Sequence, residues 1–195
     1  TVKYKPKTSE GGGVEEMSLN HPLNLQEETT RNHLASLRYE ELTLFGKEKP
    51  VFTPDEAERF SPLITKALSH VSKNSIVHFE AETAKGKTTG DVFAGNKRLH
   101  WRIHTLSGMD FSSNTARSWS SAWRLTPKTG QAYHVSERLL WKKTWENWIE
   151  AGLNLPMLPA MDKAAPSLKV DRQRKKPASA KPPANFCPAP FFEIS

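Results

Sequence analysis

A single cysteine, Cys187, stands in 195 residues, so no disulfide can close within the chain and no Cys-built zinc or iron–sulfur site can be assembled from it. Long apolar runs are missing as well. Nothing approaches the roughly 20 consecutive apolar residues of a membrane-spanning helix, which excludes such a helix from this stretch. Hydrophobic residues make up only 36%, thin against the usual globular share of about 45–50% counting Gly. The common catalytic signatures are lacking too. No Gly-x-Ser-x-Gly elbow occurs, and Gly11-Gly12-Gly13 has neither the Gly-Lys-Ser/Thr ending nor the preceding strand of a phosphate loop. Cys187 lies in a Pro-rich tail without a neighbouring His. Glu27-Glu28 and Glu40-Glu41 are adjacent pairs whose carboxylates diverge on a helix and read as solvated faces. The expectation is a chain that is not an enzyme and needs no cofactor or metal.

What is present is unevenly distributed. The 28 Lys and Arg exceed the 21 Asp and Glu, giving a net charge of +7. Residues 169–181 hold Lys169, Arg172, Arg174, Lys175, Lys176 and Lys181 against Asp171 alone, so this short stretch carries most of that charge. From residue 153 onward the chain is rich in Pro and ends in an apolar cluster that includes Phe191 and Phe192. Such a segment propagates neither helix nor ladder and reads as an extended, basic C-terminal arm over 153–195. Residues 1–24, with Lys3, Lys5, Lys7 and three consecutive glycines, read as an extended N-terminal arm.

Between the arms, residues 25–152 read as an α+β domain. Leu34, Leu37, Leu42 and Phe45 suggest a helix over 25–45. Thr53-Pro54-Asp55-Glu56 combines an N-cap, Pro at the first helical position and Glu at the third, the pattern of a capping box. The apolar stripe after it runs to about Lys73, with a kink expected near Arg59 to Ser61 because of Pro62. The period then changes to 2 through Ile76 to Ala81, Thr88 to Phe93 and Leu99 to Ile103, with turns at Lys85-Gly86-Lys87 and Ala94 to Lys97. That is a three-stranded antiparallel meander. Trp123 to Leu125 and Ala132 to Val135 read as two more short strands. One or two helices packed on a mainly antiparallel β-meander sheet is the expected fold.

Two groups of residues invite functional readings. His100 and His104 have the spacing of a helical metal pair, but Leu99, Trp101 and Ile103 alternate as in a strand. There the two imidazoles lie about 13 Å apart, too far to share one ion, and they read as its polar face. Trp141, Trp145 and Trp148, at i, i+4 and i+7, would share a helical face and serve for packing or for contact with a partner. Together with Lys175, Lys176, Phe191 and Phe192 they are the candidate partner-binding residues. The basic tail could anchor nucleic acid, but no aromatic residue is interleaved with its charges, so an arm laid on another protein is preferred.

The runs Val51-Phe52-Thr53-Pro54-Asp55-Glu56-Ala57, Leu63 to Leu68 and Gly95-Asn96-Lys97-Arg98-Leu99-His100-Trp101 give residues 30–150 a resemblance to a loosely defined group of uncharacterised bacterial envelope proteins. Many of these are lipoproteins of the outer membrane or periplasm. The resemblance implies an envelope location and proximity to a membrane, with the lipid-bearing Cys of a lipoprotein either preceding Thr1 or absent. It brings no catalytic residues. The expected function is a non-catalytic accessory or structural subunit that docks on other protein subunits of a larger assembly. A basic nucleic-acid-associated protein and a Trp-lined ligand-binding domain are the alternatives.

Overall fold

The fold, taken from a computed structural model, is described for residues 1–9, 13–83, 85–111, 123–138 and 141–155. Lys175, Lys176, Phe191 and Phe192 therefore lie outside the described residues, as does Trp119. In chain order the elements are β1 (Val2–Pro6), α1 (Glu27–Ser36), β2 (Arg38–Glu41), β3 (Lys49–Pro50), α2 (Pro54–His70) and β4 (Ser75–Thr83). They are followed by β5 (Gly86–Gly95), β6 (Arg98–Leu106), β7 (Met109–Asp110), β8 (Trp123–Leu125), β9 (Gln131–Arg138) and β10 (Trp141–Gly152). The main sheet runs in the order β1-β4-β5-β6-β10-β9, with β7 paired to β6, and a small second sheet runs β3-β2-β8. Every pairing is antiparallel. The architecture is α+β, two helices on a mainly antiparallel sheet.

The capping box forms as the sequence implies. Thr53 Oγ1 accepts from the Glu56 N–H, and the Glu56 carboxylate accepts from the Thr53 N–H. Helix α2 then runs from Pro54 to His70 without the expected break at Pro62. Proline supplies no N–H for the Glu58 carbonyl four residues back. The Ser61 hydroxyl donates to that carbonyl instead, at 3.2 Å, and the helix continues. Ala57, Ile64, Ala67 and Leu68 face the sheet, where Val77, Phe79, Leu99, Trp101 and Ile103 complete one buried core.

Other parts of the chain fold differently from the sequence reading. Helix α1 ends at Ser36, not near Phe45, because Leu37 turns to extended backbone and β2 pairs with both β3 and β8. Phe45 lies in the following turn and is 90% exposed. The opening segment is extended but docked: β1 lies against β4, and residues 14–19 cover the opposite face of the sheet. Residues 141–152 are the long strand β10, so Trp141, Trp145 and Trp148 do not form a helical stripe.

Candidate functional site

The sheet has two unlike faces. The inner face carries the apolar core under the helices. On the outer face, Ile76, Phe93 and Trp148 form a second, smaller apolar cluster, covered by Val14 and Leu19 and flanked by Met17 and Trp145. Trp148 is fully buried there, whereas Trp145 is half-buried. Around this cluster the outer face carries four histidines and carboxylates that pair across strands.

His78, Asp91 and His104 come from β4, β5 and β6. His78 and Asp91 are direct cross-strand partners. Asp91 faces Arg102, and β6 then bulges: Gly90 opposes Ile103 and Thr89 opposes Thr105, leaving His104 as the extra residue. A bulge re-aims the side chain it carries, and here it brings the His104 Nε2 onto Asp91 Oδ2. Gly90 has little room for any side chain, since a Cβ would lie 2.6 Å from the Arg102 carbonyl oxygen and 2.7 Å from Phe79 Cζ. His78 Nδ1 lies 2.7 Å from the other oxygen, Asp91 Oδ1. Burial alone would raise the Asp91 carboxyl, but hydrogen bonds and charge from His104 and His78 outweigh it and hold it well below the usual carboxylate range. On the far side of His78, Nε2 is 3.8 Å from Glu80 Oε1. Glu80 in turn is held by Lys87 and Lys3. Asp91 is fully buried, while the His104 side chain is 29% exposed and borders a cavity of about 330 Å³ shared with Arg102, Thr105 and Asn147.

His100, His134 and Glu150 repeat the layout on β6, β9 and β10, again with the carboxylate on the middle strand. His100 and Glu150 are direct partners. Trp145 opposes His134 and Ile149 opposes Tyr133, so residues 146–148 of β10 bulge out beside the cluster. His134 Nδ1 donates to Glu150 Oε1 at 2.6 Å. His100 is enclosed: Nδ1 accepts from the Trp148 indole N–H at 3.2 Å, and Nε2 meets the Gly95 carbonyl at 3.2 Å. Its ring stacks on Phe93, and His134 stacks on Trp148 with centroids 3.7 Å apart. Burial keeps His100 below the ordinary histidine range, and hence neutral.

His100 and His104 do share one face of β6, as the alternation implies. They are not a solvated face, however. Each finds partners on neighbouring strands, and His100 is fully buried. No family model matches the chain, and neither a curated protein nor a solved structure does.

Of the candidate partner-binding residues, Trp148 is core and Trp145 stands at the outer surface. The guanidinium of Arg102 lies over its ring at 5.5 Å and Lys143 Nζ at 3.9 Å. Trp145 also borders a second, wider cavity of about 800 Å³, with Val135, Ser136 and Lys143 on one side and residues 16–18 on the other. Nothing is described of the Trp141 side chain.

Proposed function

We propose that this chain is a non-catalytic accessory subunit of a larger, envelope-associated protein assembly, and that a partner subunit adds an extended segment along β9 beside Trp145. The observation that carries this reading is the contrast between the two edges of the main sheet. The β1 edge is short and bears Lys3, Lys5 and Pro6, residue types that discourage further pairing. The β9 edge is eight residues long, and among the described residues no strand lies on its far side. It presents Ala132 and Val135 to solvent, with Val135 43% exposed.

An added strand would take its affinity from main-chain hydrogen bonds and its specificity from alternate side chains reaching the Trp145 cavity. Half-buried Trp next to Arg is a common composition for the centre of an interface. The basic Pro-rich arm with Lys175, Lys176, Phe191 and Phe192 would act as a tether on the same assembly. The envelope location rests on the sequence resemblance.

The test is size-exclusion elution of the native complex from extracts of the source cells. The wild-type chain should elute well ahead of a monomer, and Val135→Lys or Trp145→Ala should move it to the monomer position. Deleting residues 165–195 should leave the domain folded but weaken its retention. Elution of the wild type as a monomer, or complexes unchanged by both substitutions, would contradict the reading.

A further inference from the structure

We infer that His78, Asp91 and His104 bind one divalent first-row transition ion, through His78 Nδ1, a carboxylate oxygen of Asp91 and His104 Nε2, with the remaining coordination position open to the 330 Å³ cavity. The inference is independent of the docking role proposed for β9.

The first argument is convergence. One donor atom from each residue lies within 4.8 Å of the others. A tetrahedral ion with bonds of about 2.0–2.1 Å needs its ligands only about 3.3 Å apart, so small side-chain adjustments are sufficient. Two ring nitrogens and a carboxylate oxygen aimed at one another repel unless something positive lies between them. Two protons can do this, and so can one dication. Two imidazoles with one carboxylate form the donor set of the facial triad and of catalytic zinc sites, and such nitrogen donors favour zinc, iron or cobalt over magnesium or calcium.

The second argument is the surroundings. A histidine that ligates through one nitrogen usually has the other oriented by a carboxylate. Glu80 stands at that position, 3.8 Å from His78 Nε2. Moving the ring proton from Nδ1 to Nε2 turns His78 from a donor to Asp91 into a ligand facing the ion. The imidazole remains neutral, and its N–H then faces Glu80.

The third argument is an orphaned acceptor. Asn147 borders the same cavity and is buried, and its Nδ2 donates to the Ile103 carbonyl at 2.8 Å. Its Oδ1 is buried and has no partner among the described residues. A buried acceptor left this way calls for an explanation, and water on an ion at His104 would supply the missing donor.

The second histidine cluster serves as an internal control. There the one lone pair of neutral His100 is already committed to the Trp148 indole, so coordination would require breaking that hydrogen bond.

The test is titration of the chelator-treated full chain with Co²⁺, read by its visible ligand-field bands, and with Zn²⁺ by calorimetry. One ion should bind per chain. His104→Ala should weaken binding at least tenfold, and Glu80→Ala, at a partly exposed position, should weaken it about tenfold. His134→Gln in the other cluster should leave affinity unchanged, and so should Val135→Lys, which separates this test from the docking reading. If Asp91→Asn fails to fold, His104→Ala and Glu80→Ala still decide. Absence of stoichiometric binding would overturn the inference. So would binding indifferent to His104→Ala, or binding abolished by His134→Gln.

Discussion

The two histidine clusters each combine two imidazoles with one carboxylate on a three-strand layout with a bulge, yet they differ in what closes them. At His100, His134 and Glu150, two aromatic rings and an indole N–H fill the space around the imidazoles. At His78, Asp91 and His104 no such lid stands among the described residues, and the His104 side chain is 29% exposed at its cavity, whereas His134, which borders the wider cavity, is only 9% exposed. The comparison teaches that a donor set does not make a site by itself. The neighbours decide whether its donor atoms are enclosed by packed rings, as around His100, or stand open beside a cavity, as at His104.

The comparison can be broken most forcefully at Trp148. Trp148→Ala removes a fully buried indole that both holds His100 Nδ1 and stacks on His134, and it should cost about 3–5 kcal/mol in denaturant unfolding. A cost under 1 kcal/mol would show that the closed cluster is not structural. Gly90→Ala tests the open cluster through its backbone. The added methyl collides with the Arg102 carbonyl, so a loss of about 1–3 kcal/mol is expected, with weaker Co²⁺ binding as the bulge at His104 shifts.

Acid should act on the strap that covers the closed side. His21 is buried and accepts from the Ala94 N–H at 3.3 Å, and burial lowers its pKa to about 4. Below about pH 6.5 the unfolded chain takes up a proton that folded His21 refuses until about pH 4, so stability falls as pH falls through that window. Burial lowers His33 and His100 in the same sense. A melting series from pH 7 to pH 4 should show a decline of about 1–3 kcal/mol from His21, and His21→Gln should flatten that part of it. An unchanged slope in His21→Gln would count against the assignment. The smallest effect is expected at the β9 edge, where Val135→Lys should change folding stability by less than about 0.5 kcal/mol. A larger loss would mean that Val135 packs within the domain.

How much of this was legible depends on how local each signal is. The Thr53 capping box and the β4–β5–β6 meander lie within short windows, and both form as read. The Trp residues of β10 misled because their spacing is three and four. In a regular strand Trp145 and Trp148 would point to opposite faces, but the bulge over residues 146–148 returns both to the outer cluster, and this odd spacing imitates a helical period. The helix over 25–45 was overextended because Leu37 and Tyr39 are buried by β2 pairing, which needs the distant Trp123 to Leu125 strand.

The histidine clusters depend on register, which was partly within reach. The pairing of Thr83 with Gly86 makes His78 oppose Asp91. The turn at Asn96-Lys97, with φ of 51° and 60°, makes Asp91 oppose Arg102 and Phe93 oppose His100. The turn expected at Lys85-Gly86-Lys87 lies too late for that first register, since Gly86 and Lys87 already pair with Thr83 and Glu82, so carrying it through does not align His78 with Asp91. The bulge that adds His104 has only Gly90 as its sign, and the meeting of His100 with His134 needs a pairing with β10 across more than thirty residues.

The measurement that tests the distinction between the clusters most directly is anomalous diffraction at the zinc edge from crystals of the full chain grown with Zn²⁺. The account predicts one strong peak among His78 Nδ1, Asp91 and His104 Nε2, and none at His100, His134 and Glu150. A peak at the second cluster, or none at the first, would contradict it.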